Sequence, residues 1–189
     1  MWDNIVKPTL VLFLVCAVIS GSLAYVNSIT QDVIDKRARE EQAESRKQVM
    51  AEADSFKEIK AEKIPDAVTG VYEGYKGNEK TGYVMDVTVK GYGGDINMTV
   101  GVDIKGHITG VKIGSHNETP GLGAKASEPE FISQFGEVTI NDKLVIVKQN
   151  KKAANEIQAI SGATISTKAV TEGVSAALSA ADILIKGGE

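Results

Sequence analysis

Scarcity is the first feature of this chain. A single cysteine, Cys16, among 189 residues rules out an intrachain disulfide, a thiolate metal site and a cysteine-held iron–sulfur cluster. Val15 precedes it where a lipobox would want a small residue, so Cys16 reads as an apolar filler. Two histidines, His107 and His116, stand outside any carboxylate-rich cluster, which leaves neither a metal site nor a base for a nucleophile. No catalytic residue and no metal ligand is therefore expected. A basic excess is missing as well: 21 Lys and Arg stand against 25 Asp and Glu, a net charge of −4, so no basic face can neutralise a phosphate backbone and nucleic acid is excluded as a partner.

Charge is absent altogether from Pro8 to Gln31, and the run PTLVLFLVCAVISGSLAYV is long enough to cross about 30 Å of hydrocarbon as a helix. A cleaved signal peptide is the rival, with Lys7 as its charged start and Ser22-Leu23-Ala24 as a cleavage site, but the apolar run exceeds an ordinary signal core. We read residues 1–31 as a transmembrane anchor in a lipid bilayer, with Trp2 as an interfacial residue. Residues 32–65 follow with about half their side chains charged and no Gly or Pro before Pro65, the composition of a polar juxtamembrane helix supported by i to i+4 pairs.

After Ile64-Pro65 glycine becomes frequent and apolar residues alternate with polar ones. TGYVMDVTVKGYG, DINMTVGVDIKGHITGVKIGSH and EVTINDKLVIVKQ suggest strands, with Lys105-Gly106 as a hairpin turn. A final helix begins near Ile165, its buried stripe formed by Val170, Gly173/Val174, Ala177/Leu178, Ala181 and Leu184/Ile185, and Gly187-Gly188 ends it. Residues 66–189 are thus expected to be an α+β domain with a largely antiparallel sheet and a C-terminal helix.

The loop before that helix, Ser161-Gly162-Ala163-Thr164-Ile165-Ser166-Thr167, is rich in hydroxyls and free of acids and bases. At a helix N-terminus its unpaired amides and partial positive charge suit a phosphate, and Gly162 and Ala163 allow close approach. Simple N-capping by Ser161 or Thr164 is the commoner use of such residues. Glu118-Thr119-Pro120-Gly121-Leu122-Gly123 makes a tight loop after a strand, where backbone could lie against a flat ring.

These two blocks resemble a family of flavoproteins in which FMN is joined to protein through a phosphoester on a hydroxyl residue of an S/T-G-A-T-x-x-T/S pattern. ETPGLG matches a second block of that family, and GYGGDI at 91–96 matches a third so rich in glycine that its residues are not counted as contacts. In layout the chain is similar to the RnfG family of Rnf-complex subunits and, more distantly, to the NqrC family of the sodium-pumping NADH:quinone oxidoreductase. The resemblance implies covalent FMN on Thr167, the last hydroxyl of the pattern, held by Ser161, Gly162, Ala163, Thr164 and the 118–123 loop. It implies an ApbE-type flavin transferase for maturation and other membrane redox subunits as partners. The implied function is an electron-transfer subunit of an ion-translocating ferredoxin:NAD⁺ oxidoreductase, in a prokaryotic cytoplasmic membrane with the C-terminal domain on the extracytoplasmic face. Lys36, Arg37 and Arg39 after the span would by a count of basic residues favour the opposite orientation, although long domains cross regardless of such counts. Gln158 stands where the family usually carries an acid. An anchored flavin- or phosphate-binding module with a sensory or structural role is the other function these motifs allow.

Overall fold

The computed structural model describes residues 2–61 and 63–187. Gly188 and the side chain of Arg39 lie outside the described residues. The chain divides into two compact units after Glu41.

The first unit is the start of α1 (Lys7–Val49). Its stretch Lys7–Gln31 is long and apolar enough to cross a membrane. Large side chains around its whole circumference are exposed, from Leu10 through Phe13, Ile19 and Tyr25 to Ile29, a distribution with no single core-facing stripe. The hydroxyls of Thr9, Ser22 and Thr30 bond back to the carbonyls of Ile5, Val18 and Val26 at 2.7, 2.8 and 2.9 Å. Polar groups satisfied within the helix are what a hydrocarbon solvent demands.

The second unit, from Gln42 onward, begins within α1. The expectation of one polar helix as far as residue 65 is corrected here: α1 stops at Val49, and residues Ser55–Ile59 form strand β1. Val49, Met50 and Ala53 are buried with Val84 in a small cluster that Phe56 and Tyr72 complete. Apolar positions too sparse for a helical stripe thus serve a turn and an edge strand instead. The second unit accordingly contains the segment 42–65 that the sequence reading had kept apart from the 66–189 domain.

Five strands form one antiparallel sheet in sequence order: β1, β2 (Val68–Lys76), β3 (Glu79–Lys90), β4 (Asp95–Asp103) and β5 (Ile108–His116). The β4–β5 hairpin turns at Lys105-Gly106, where Gly106 takes φ +86°, a conformation that glycine adopts without strain. Against one face lies α3 (Thr164–Lys186), burying Val170, Val174, Ala177, Leu178 and Ala181 against Met85, Met98 and Val100 of the core. Met98 packs where a side chain on Gly173 would be. Phe131 of the short α2 (Pro129–Ile132) meets Phe135 edge to face at 5.7 Å and closes one end of this core.

The opposite face joins the small Val84 cluster to a set of polar contacts. Arg46 of α1 forms a 2.6 Å ion pair with Asp86, its guanidinium sits 3.6 Å from the centre of the Tyr72 ring, and Thr99 donates to the other Asp86 oxygen at 3.1 Å. Val49 lands on Gly101 and Gly110, which face each other across β4 and β5, and its carbonyl accepts from Thr109 Oγ1 at 2.6 Å. A Cβ on Gly110 would lie 2.8 Å from Val49 Cα, so the helix end needs glycine beneath it.

EVTINDKLVIVKQ supplies only a three-residue strand, β6 (Val145–Val147), which pairs in parallel with β7 (Glu156–Gln158). Short as it is, β7 delivers the chain into the hydroxyl-rich loop at 161–167.

Candidate functional site

Three loops converge beside the N-terminus of α3. They are the 91–94 turn between β3 and β4, the 117–123 loop after β5, and residues 160–166. Glu118 joins them. Although only 6% exposed, it accepts from the Gly93 amide at 2.8 Å through one oxygen and from the Ser166 hydroxyl through the other. Burial alone would raise its carboxyl, but the hydrogen bonds from Ser166 and the Gly93 and Tyr92 amides, with His116 nearby, outweigh burial and hold it below the ordinary glutamate range. Gly123 packs where a Cβ would collide with this pair, and a Cβ on Gly93 would collide with the Asn117 carbonyl. The glycines flanking Glu118 and Tyr92 therefore set how closely the loops approach.

Between the loops lies a cavity of about 520 Å³ lined by Tyr92, Thr119, Leu122, Gly162, Ala163, Thr164, Ile165 and Ser166. Gly162 adopts φ +78°, turning the chain sharply into the helix. Ala163, the residue at the helix N-cap, makes no side-chain cap, so the first-turn amides are left for another acceptor. Thr164 is the first residue of α3 and is exposed.

The resemblance implies attachment at Thr167, and the structure describes that residue's surroundings. Thr167 is fully buried, its Oγ1 donates to the Ala163 carbonyl at 2.9 Å and accepts from the Ile160 amide at 3.0 Å, and it lies outside the cavity lining. Residues three apart on a helix share a face, but only from the second turn onward does that face here meet the core. Thr167 therefore splints the loop to the helix. Of the other expected residues, Gly162, Ala163, Thr164, Thr119 and Leu122 line the cavity, whereas Ser161 faces a neighbouring one. Glu118 and Gly123 lie beneath the cavity as its support, and Pro120 and Gly121 form the exposed tip of their loop. Tyr92, which sequence reasoning set aside because its motif was mostly glycine, lines the cavity directly.

Ser161 and Gln158 face a separate cavity of about 390 Å³, shared with Lys125, Lys151 and Gln134. The Gln158 amide donates to Gln134 Oε1 at 2.7 Å, which fixes β7 just ahead of the loop.

A hydroxyl-rimmed cavity at a helix N-terminus, on an antiparallel sheet backed by a C-terminal helix, is the architecture of an FMN-binding domain, and the FMN-binding domain family matches residues 91–179. The RnfG N-terminal region matches residues 1–49. Among curated proteins, the chain is 37% identical over 186 residues to the RnfG-type subunit of the Na⁺-translocating ferredoxin:NAD⁺ oxidoreductase complex of Acetobacterium woodii, covering 92% of this chain and 89% of the relative. It is 36% identical to the corresponding subunit of the proton-translocating ferredoxin:NAD⁺ oxidoreductase complex of Clostridium ljungdahlii, covering 93% and 91%. The chain belongs to the RnfG family of ion-translocating oxidoreductase subunits. Among solved structures, the NqrC-type subunit of the Na⁺-translocating NADH-quinone reductase of Parabacteroides distasonis superposes with a TM-score of 0.52 at 29% identity, covering 61% of this chain and 62% of that one. Shewanella oneidensis NqrC shares the fold at a TM-score of 0.52, covering 72% of this chain and 70% of that one at 18% identity.

The residues present fit FMN. The cavity volume lies within the ordinary range for cofactor sites, apolar and aromatic side chains line it beside a few polar ones, and the uncapped helix start can receive a phosphate.

Proposed function

We propose that this chain is a single-pass, membrane-anchored electron relay of an ion-translocating ferredoxin:NAD⁺ oxidoreductase, and that its FMN is joined by a phosphoester to Thr164. One observation carries the assignment of the attachment point: of the two helix threonines, Thr164 is exposed and lines the cavity, whereas Thr167 is sealed with its donor and acceptor both engaged.

Thr164 has no base beside it among the described residues, and an alcohol is a poor nucleophile at neutral pH. An ApbE-type flavin transferase with FAD as donor fits this need. The Thr164 oxygen would form a bond to the FMN phosphorus as the pyrophosphate bond to AMP breaks, with the hydroxyl proton passing to a base of the transferase. Thr119, Leu122 and Gly162 to Thr164 would then frame the cofactor, the α3 amides would receive its phosphate, and Glu118 fixes the loops around it. When bound, the isoalloxazine supplies one- and two-electron transfer, and the protein supplies placement.

The anchor of residues 1–31 keeps the relay beside the other membrane subunits of the complex, which are its partners. Placement of the domain on the extracytoplasmic face of a prokaryotic cytoplasmic membrane accords with the covalent tether, because flavin lost there would not readily be replaced.

The test is intact mass and in-gel flavin fluorescence of the denatured chain, co-expressed with a flavin transferase. Wild type and Thr167→Val are expected to gain the mass of FMN less one water, and Thr164→Ala is expected to gain nothing. Flavin retained by Thr164→Ala would overturn the attachment point. A wild type without flavin beside an active transferase would favour a reversible ligand-binding module.

A further inference from the structure

Tyr92 combines a fixed backbone with an unclaimed side chain. At 71% exposure it is the most exposed of the large apolar side chains described from Gln42 onward. Its loop is nevertheless closed by the Gly91 amide donating to the Gly94 carbonyl at 2.8 Å, with Gly94 at φ +138°. The Gly93 amide is tied to Glu118 at 2.8 Å, and the Tyr92 amide also donates to that carboxylate. Among the described residues its phenol makes no hydrogen bond, and its ring packs on no other aromatic ring. Three loop-borne hydrogen bonds thus present a ring that serves no packing purpose in the protein itself.

The ring lines the same cavity as Thr164, in company with Leu122 and Ile165. These three are exposed by 71%, 44% and 55% and come from three separate parts of the chain. A planar aromatic side chain is suited to offset stacking on another π-system, and FMN tethered at Thr164 would carry its isoalloxazine into that cavity. We infer that Tyr92 lies against the isoalloxazine face and sets the ring's position, with the Glu118-bonded glycine turn holding the phenol in place. The inference rests on attachment at Thr164 and goes beyond it by naming the residue that touches the ring.

A phenol in contact with an excited flavin gives it an electron and takes the same electron back, so emission is quenched with no net chemistry. The experiment uses the full-length chain in detergent, co-expressed with a flavin transferase, as wild type, Tyr92→Leu and Tyr92→Phe. Covalent FMN per chain is counted by mass, and fluorescence yield and lifetime per bound flavin are then recorded before and after denaturation. The expected result is equal loading, a severalfold brighter and longer-lived emission from native Tyr92→Leu than from wild type, and equal emission from all three once denatured. Tyr92→Phe keeps the ring's shape but donates an electron far less readily, so it should brighten as well, and it serves if the leucine variant folds poorly. Full loading with native emission unchanged in Tyr92→Phe would overturn the inference and leave the tether standing, as for a tyrosine reserved for a partner protein. A wild type bearing no flavin would overturn the tether and this inference together.

Discussion

The two faces of the sheet are held by different physics. Toward α3, Val170, Val174, Ala177 and Leu178 meet Met85, Met98 and Val100 in a dry apolar layer, where attraction is non-directional and errors in shape are absorbed by degrees. Toward the end of α1, a mostly buried Arg46–Asp86 pair, a ring beneath the guanidinium and two facing glycines define the contact. Directional contacts of this kind fail abruptly, because removing one partner leaves the other buried and unsatisfied. An apolar layer supplies stability, whereas the polar face sets the place at which one particular helix end can dock.

Deleting the docked helix end tests the contrast most severely. A soluble fragment beginning at Gln42 should fold, whereas one beginning at Asp66 loses α1, β1 and the cover over Val84 and should aggregate or fail to show a cooperative thermal transition. Equal melting of the two fragments would show that the polar face needs no helix. Next in size is Arg46→Ala, which strands Asp86 and should cost about 3–5 kcal/mol in chemical denaturation. The paired replacement Arg46→Met with Asp86→Leu should recover much of that loss, and failure to recover it would assign the effect to the lost stacking on Tyr72 together with the stranded Thr99 hydroxyl.

Smallest is the effect of pH at the carboxylate beneath the cavity. Glu118 titrates below the unfolded glutamate value of about 4.3. Its contribution to stability is therefore complete above that value and is lost as pH falls through the lower folded value. Wild type should lose stability more steeply than Glu118→Gln on acidification below about pH 5, as measured by denaturant midpoints. At neutral pH the variant should be the weaker, because its NH₂ replaces one of the two oxygens to which Ser166 and the Gly93 amide separately donate. Parallel pH profiles would show that Glu118 does not carry the junction of the loops.

Much of this was open to reading residue by residue. The uncharged run Pro8–Gln31, the Lys105-Gly106 turn and the stripe on α3 are local periodicities, and local periodicity is set by the chain's own geometry. β1 and β2 were missed because SFKEI carries too few apolar residues to alternate, and VTGVYEGYK pairs them with glycines that leave room for the Tyr72 ring and for Met50. Tyr92 was passed over for a related reason: a glycine-rich turn looks like a mere connection until Glu118, 26 positions later, is seen to grip it.

By itself, then, the sequence determined the anchor, the α+β class, the family and the two loops that meet at the site, since each rests on composition, period or contiguous motif. Only the tertiary structure decided which of the two helix threonines lines the cavity. Thr164 and Thr167 belong to one short motif and carry the same side chain. What separates them is burial and hydrogen bonding: the core rises against α3 after its first turn, so Thr167 is enclosed between Ile160 and Ala163 while Thr164 remains exposed at the cavity.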